Sequence, residues 1–533
     1  MQIASFAYRY CSSSLDGTAT YVDDRPAYAA PDQIAKNAPS DIVAYFGGAP
    51  AAPGARAPQI LYPFDGAMMA PNVLQVRVQW DSPGALRYFR LVVQGADPSA
   101  GPYQRFYSVC SPAQQSGCTF TVDDKLWSAL AHQSLGKALT LTVSGVAKQG
   151  DPVATSAPIT VRFSPEDIRG GLYYFSPTIR GIKRVPLGAS QPVDFITNGN
   201  GTGCAGCHAV SRDGKQVAVE FGTGQTRVGS SIVDGVNPSS LRFALDPATA
   251  WNFAWFNPTG DLLVTNWNGA LAIRTARDGK LVTEVPPALY GGTQGAVMPE
   301  WSPDGKWLAF VRLRAPARLD FAIQDSGDIV VMPYNNGNFG PATTLVCARP
   351  GSEAHFWPSW SPDSRFLVFN TESCDPQIGC VQYDAPRTRL RLVRAISDSG
   401  LPVASPGCGQ LTAQPPVIEL YHGTHERERT TNWPKFAPFL QGGRYAFVVY
   451  SAKYAYGLTP ASTRAQLFMF ALDLQQAATS MDDPSFQPVW LPFQEENTSN
   501  HSAIWTTDVV CQRASDCPSE FSCQGGVCAP ILG

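Results

Sequence analysis

The order of apolar and polar positions changes character three times along the chain. From residue 1 to about 57 no period is sustained and Ala, Pro, Gly and Asp dominate, which predicts an extended leader or linker. From Ile60 a period of two sets in. Val76, Val78 and Trp80 alternate with Arg77 and Gln79, and Tyr88 to Val93, Leu139 to Val146 and Ile159 to Phe163 repeat the alternation between turn-rich stretches. Side chains of a strand point alternately to its two faces, so each such segment offers one face for burial. Short strands at this spacing over 58–164 predict a β-sandwich. Beyond it, over 165–510, short strands continue, now marked by a repeating turn.

The segment from Trp301 to Phe310, WSPDGKWLAF, recurs from Trp360 to Phe369 as WSPDSRFLVF. Weaker copies run from Val210 to Val219, from Phe256 to Val264, and from Phe436-Ala437-Pro438 to Gly443-Arg444-Tyr445-Ala446-Phe447. Each reads as a strand end, a tight turn and an alternating strand. Proline pre-sets the turn, aspartate caps it and glycine supplies positive φ. The copies start at 210, 256, 301, 360 and 436, so the units span about 45 to 75 residues, the longer ones carrying insertions. Gly171 to Val185 and Ser502 to Val510 supply the first and last strands of a further unit that closes a ring. The motif resembles the β-propeller repeat of TolB-like proteins, and the five copies with the closing unit count to six blades, five or seven being the alternatives. Tyr62-Pro63-Phe64-Asp65-Gly66 resembles the opening of an immunoglobulin-like or fibronectin-like module. The expected fold class is therefore all-β: a sandwich, a six-bladed propeller and a small disulfide-rich tail over 511–533.

Charge narrows the function. Lys+Arg 40 against Asp+Glu 43 gives a net charge of −3 over 533 residues, which excludes a nucleic-acid binder that works through a basic surface. No apolar run reaches the roughly 18 residues of a transmembrane helix. Thirteen cysteines at short spacings point to an oxidising compartment, periplasmic or extracellular. Met1 to Tyr10 lack the charged and apolar regions of an export signal, which is expected to be missing or removed. Cys110 and Cys118 are expected to staple a sandwich loop. Cys347 with Cys408, and Cys374 with Cys380, are expected to brace the insertion of the fourth repeat. The tail cysteines Cys511, Cys517, Cys523 and Cys528 lack C-x2-C zinc spacing and have no histidine among them, so two disulfides are expected, with three pairings open.

One constellation carries chemistry. Cys204-Ala205-Gly206-Cys207-His208 is C-x-x-C-H, which resembles the attachment motif of cytochrome c in these five residues. The composition gives such a motif by chance roughly 0.003 times, so it calls for a cause. Two thiols three residues apart suit thioethers to both vinyl groups of a porphyrin, and the adjacent imidazole suits the iron. One covalent haem c is therefore the leading expectation. A local disulfide is the alternative, and a redox or metal-binding pair of thiols a third. With haem attached, eleven cysteines are left, and Cys11 is the candidate for the odd thiol.

Aligning the repeats sets His208 where Pro299 and Pro358 fall, just before the innermost strand of a blade. The same stretch elsewhere carries Trp251 and Phe253, Met298, His355 and Trp357, Trp433, and His501. These residues are expected to ring the channel mouth, with Phe253, Trp357 and Trp433 as an apolar rim for the haem. Met298, which matches the place of Cys207, is the first candidate for the second axial ligand, followed by His501 and His355. His422 and His425 read as a solvated loop and His132 as a surface residue. The functional expectation is one-electron transfer in the cell envelope with a redox or envelope protein as partner. A haem-free scaffold that binds protein or glycan, and a haem-dependent oxidoreductase acting in the funnel, compete with it.

Overall fold

The computed structural model describes residues 31–531 apart from 53–56, 82–84, 96–101, 111–116, 223–227, 248–249, 292–293, 315–326, 350, 376–379, 381–386, 406–407, 409–416 and 425–429. Cys11, His425 and the start of the predicted leader lie outside the described residues.

The alternating segments form two sheets. One runs in the order Gln33–Ile34, Pro102–Val109, Tyr88–Gln94, Ala138–Val146, Ile159–Phe163 and Ala67–Met69, and the other in the order Ile60–Tyr62, Arg77–Asp81 and Gly117–Thr121. Leu91 stands opposite Val143 and Val93 opposite Leu141, so the apolar face of the first sheet is continuous. Trp80 of the second sheet lies 5.4 Å from Phe89 of the first, both buried, and helix Asp124–Gln133 adds Trp127 against Phe163.

The stretch read as an extended leader or linker carries short elements from residue 31 onward. Gln33–Ile34 pairs in parallel with Pro102–Val109, and the 3-10 helix Ile42–Gly47 buries Ile42 and Phe46 against Tyr107, Val146 and Val153. A two-residue strand and two turns of 3-10 helix are too short to show a period, and so the pattern missed them.

Among the described residues, six small antiparallel sheets follow. Their innermost strands are β1 (Ala205–Val210), β2 (Phe253–Phe256), β3 (Ala296–Trp301), β4 (Glu353–Trp360), β5 (Asn432–Gln441) and β6 (His501–Thr506). β6 joins the sheet of Gly171–Ser176, Gly181–Pro186 and Val193–Ile196, so the two ends of the repeat region share one sheet. β1 touches β2, β2 touches β3, and so on to β6, which returns to β1. This closed circuit is a β-propeller. It leaves no open flank among the innermost strands, the usual liability of a sheet.

The repeated turns behave as their residues require. Ser302 Oγ bonds to Asp304 at 2.6 Å and accepts the Trp307 N–H at 2.9 Å, while Gly305 has φ 74°. Ser211, Asp213 and Gly214 repeat the arrangement, and Asn257 takes the serine's role for Leu262 N–H at 3.1 Å. Local bonds of this kind fix where each strand begins, and so fix its register.

The tail is tied by Cys511–Cys523 and Cys517–Cys528, one of the three pairings left open. Buried Arg184 holds it, donating to the carbonyls of Val510 at 3.0 Å and Asp516 at 3.1 Å. Cys511, Cys517 and Phe521 share a core with Leu172, Trp505 and the sandwich. Cys110–Cys118, Cys347–Cys408 and Cys374–Cys380 complete the disulfides among the described residues, and all follow the expected pairs.

Candidate functional site

Five of the six innermost strands share one irregularity. In β1 the pairing steps from Gly206–Glu220 to Ala209–Ala218, so two residues, Cys207 and His208, face a single position across the ladder. β3 does the same between Val297 and Glu300, β4 between Phe356 and Ser359, β5 between Asn432 and Lys435, and β6 between His501 and Ile504. Each is a one-residue β-bulge. The residue opening each bulge has positive φ without being glycine: Cys207 at 43°, Met298 at 54°, Trp357 at 54°, Trp433 at 59° and Ser502 at 54°. Side chains this large pay about 1–3 kcal/mol for that conformation, and such strain collects at functional sites. β2 is the exception, with unbroken pairing through Phe253. The bulges align His208 with Pro299, Pro358, Pro434 and Ala503.

The bulge falls within the C-x-x-C-H segment: Cys207 and His208 are its two residues, and Cys204 stands just ahead of β1. Cys204, Gly206 and Cys207 are half-buried, and Ala205 and His208 are buried. The five disulfides include neither Cys204 nor Cys207, and the two are not joined to each other. Burial pushes the Cys204 thiol above its ordinary range. A reactive redox thiol shows the opposite shift.

His208 is 7% exposed and burial pushes its pKa down to about 4, which keeps the ring neutral. Its Nε2 donates to the Tyr173 carbonyl at 3.2 Å, and its Nδ1 is buried without a hydrogen-bond partner. An imidazole with one nitrogen anchored to a backbone carbonyl and a bare lone pair on the other is the form that binds a metal. The donor set of two thiols and this imidazole fits a covalently attached haem.

The rim is aromatic. Trp357 stacks on Trp433 with centroids 3.5 Å apart, Phe253 lies 5.0 Å from Trp357, and His501 lies 6.2 Å from Trp433 and 5.0 Å from Phe175. These five rings form an arc, and the strand with Cys204 and Cys207 lies between its ends, since β1 touches both β2 and β6. Met298 joins the arc by accepting the Trp357 N–H on Sδ at 3.4 Å. Trp251 does not join, being buried against Phe243 in the body of its sheet.

His355 is not brought to this group. It stands two residues before the bulge, fully buried, with its ring on Phe369 and Nδ1 3.0 Å from Thr371 Oγ1, so the alternation turns it into the sheet interior. His422 is exposed and pairs with Asp483, and His132 sits partly exposed on the sandwich helix beside Asp167. Two cysteine groups have metal-like spacing, Cys511 with Cys517 and Cys528, and Asp328 with Cys347 and Cys408, but their thiols are committed to disulfides.

Sequence reasoning missed two features. Phe175 pairs with His501 across the closing sheet, a contact between distant segments. Below the bulges, buried Glu300 binds the Lys435 ammonium, which also lies 4.4 Å from the Trp255 ring, while Ser359 Oγ and Trp360 N–H donate to Glu300 at 3.0 and 2.8 Å. Trp255, Glu300, Ser359 and Lys435 hold the same position in their innermost strands, and only the repeat alignment could have brought them together.

The fold and site thus define a disulfide-bonded β-propeller with a cysteine-histidine cluster beside an aromatic rim. Among solved structures, the chain is similar to the putative TolB of Agrobacterium tumefaciens at 16% identity, over 64% of this chain and 99% of that one, with a TM-score of 0.32. It is similar to TolB of Acinetobacter baumannii at 13% identity, over 69% and 79%, with a TM-score of 0.38, and to a hypothetical selenium-binding protein of Sulfolobus tokodaii at 11% identity, over 82% and 98%, with a TM-score of 0.36. No known family and no curated protein matches the sequence. No helix among the described residues is long and apolar enough to cross a membrane.

Proposed function

We propose that the chain is an exported protein of the periplasm or cell exterior that carries one haem c on Cys204 and Cys207 and takes part in one-electron transfer with a partner protein. In this reading the six sheets are the blades of a six-bladed propeller, and the two-sheet unit is an immunoglobulin- or fibronectin-like sandwich. The observation that supports it is that two thiols outside any disulfide, Cys204 and Cys207, stand beside the buried, backbone-anchored imidazole of His208, at the strand that lies between β2 and β6. The five disulfides fit an oxidising compartment.

Cys204 and Cys207 would hold the group through thioethers, and His208, already neutral, would ligate its iron. When bound, the haem supplies reversible one-electron exchange. Phe175, Phe253, Trp357 and Trp433 would keep water from it, and a drier, less polar surround tunes the potential. The Glu300–Lys435 pair closes the layer beneath the mouth with side chains from β3 and β5.

The test is a pyridine haemochrome of protein from a host that matures c-type haem, taken before and after acid-acetone extraction. A c-type spectrum that survives extraction, at one haem per chain, is expected. A colourless protein from a host proven to mature another c-type cytochrome refutes the reading. In that case the rim is left as a binding surface for protein or glycan, and metal analysis then asks whether Cys204, Cys207 and His208 hold zinc.

A further inference from the structure

The sandwich and the propeller leave a cleft of about 850 Å³ between them, within the range of about 300–1,000 Å³ usual for ligand sites, which gather at joints between domains. Gln75, Phe120 and Thr121 line it from the sandwich, Gln33 and Ile34 from the short parallel strand, and Gln191 and Gln494 from loops of the repeat region. It shares no residue with the bulges or the aromatic arc.

Some of the lining is already committed and holds the cleft in shape. Gln494 accepts the Leu467 N–H at 2.7 Å and donates to the carbonyls of Leu467 and Leu491 at 2.7 and 2.8 Å. Arg77 crosses the joint to Glu496 at 2.6 Å, with its guanidinium 4.7 Å from the centre of the Trp490 ring. Asp124 accepts the Gln75 N–H at 2.6 Å and Asp123 the Leu126 N–H at 3.1 Å, each on Oδ1. Gln75 itself has φ 56°, a left-handed conformation that favours glycine, and such strain collects at functional sites.

The groups left over are mostly neutral. The side-chain amides of Gln75 and Gln191 and the Thr121 hydroxyl have no partner among the described residues, and Asp123 and Asp124 each keep Oδ2. An amide offers donor and acceptor side by side and a carboxylate oxygen accepts, which is what adjacent hydroxyls require. Lys36 and Arg77 balance Asp123 and Asp124, so the lining selects no ionic ligand. Among the polar groups lie Phe120, half-buried with its ring 5.1 Å from that of Phe106, and Ile34, 40% exposed. A sugar ring, with hydroxyls on its edge and C–H bonds on its faces, matches both kinds of surface.

A peptide strand matches less well. It would pair with an open sheet edge, and the edges here are short. Gln33–Ile34 has two residues, and Leu458 covers the start of Gly117–Thr121, 2.4 Å from where a Gly117 Cβ would lie.

We infer that the cleft is a binding site for a neutral oligosaccharide, held by Gln75, Gln191, Thr121 and the carboxylates of Asp123 and Asp124, with Phe120 against its apolar face. Neither the haem nor its ligands enter this site.

Isothermal titration calorimetry of the full chain with maltotetraose, cellotetraose, mannotetraose and chitotetraose tests it, beside Gln191→Ala and Thr121→Trp, each first compared with the wild type by urea midpoint. At least one of these sugars is expected to bind at one site per chain with a Kd of about 1 mM or below. Gln191→Ala is expected to weaken it about fivefold through the loss of a hydrogen bond, and Thr121→Trp, which fills the cleft from an exposed position, to abolish it. Gln191→Trp takes the blocking role if Thr121→Trp lowers the midpoint. No binding of any of the four at about 10 mM overturns the assignment, and so does sugar binding that the blocking variant leaves unchanged, which would put the sugar elsewhere on the chain. A library of capped peptides is titrated in parallel. A peptide that binds where no sugar does, and that the blocking variant excludes, gives the cleft to peptides and equally overturns the assignment.

Discussion

Replacing Lys435 by Met removes the cation from the layer beneath the channel mouth and leaves the Glu300 carboxylate where it is. Glu300 is 3% exposed and Lys435 8%, so water cannot take the place of the lost partner. At about 4 Å and an effective dielectric of about 20, a unit pair is worth about 4 kcal/mol, and breaking a buried pair from one side costs about 3–5 kcal/mol. The donors Ser359 Oγ and Trp360 N–H remain and soften the loss, while the contact with Trp255 goes with the ammonium. We expect Lys435→Met to lose about 3–4 kcal/mol. Glu300→Gln keeps its amide oxygen for both donors but turns its NH2 toward Lys435, which retains only the Pro358 carbonyl, so a loss of at least about 2 kcal/mol is expected. The double variant removes both charges and is expected within about 2 kcal/mol of the wild type, a coupling of about 3 kcal/mol or more. Urea unfolding followed by tryptophan fluorescence reads all four proteins, with Trp255 and Trp360 beside the pair as reporters. A Lys435→Met loss under about 1 kcal/mol, or additive single and double variants, would refute the claim that this ion pair works as a buried unit.

Burial pushes His355 down to about 4, against about 6.5 in an unfolded chain. The unfolded chain therefore takes up the proton first as pH falls, and stability present above about 6.5 is lost on the way to pH 4, by about 3 kcal/mol. Urea midpoints of the wild type should fall more steeply between pH 7 and 4.5 than those of His355→Leu, and equal slopes would count against it. The Cys204 thiol, raised by burial, should react with iodoacetamide more slowly in native haem-free protein than after unfolding, and rates that match at pH 8 would contradict its environment. Gly170 has φ 78°, and a Cβ there would stand 1.8 Å from the Thr506 carbonyl oxygen. Gly170→Ala should cost at least about 2 kcal/mol and open the seam between β6 and Gly171–Ser176 to proteolysis, and a melting temperature within a degree of wild type would refute this.

The repeat was legible because its turn is local. Ser302, Asp304 and Gly305 bond to one another within five residues, so the same letters recur wherever the turn does. Aligning those letters also put His208 level with Pro299 and Pro358, which the bulges reproduce. What the pattern could not carry was parity. One extra residue in a strand reverses which side chains face the mouth, and it has no letter of its own: Cys, Met, Trp, Trp and Ser all open bulges here. His355 was misread for this reason, since counting two residues back from Trp357 does not give the direction of its ring. Gln33–Ile34 and the Glu300–Lys435 pair were missed for a different reason. Their partners lie far along the chain, and neither leaves a periodic trace.

The seam between Gly171–Ser176 and β6 joins segments that the chain makes far apart in time. Thr506 Oγ1 reaches the Gly171 carbonyl across 335 positions. Contacts of such separation form late in folding, after the local hairpins of each sheet. Until then β1 has no neighbour on the β6 side, and closing the seam covers that flank. The order in which the ring is completed therefore sets when the segment that holds Cys207 and His208 gains its last neighbour.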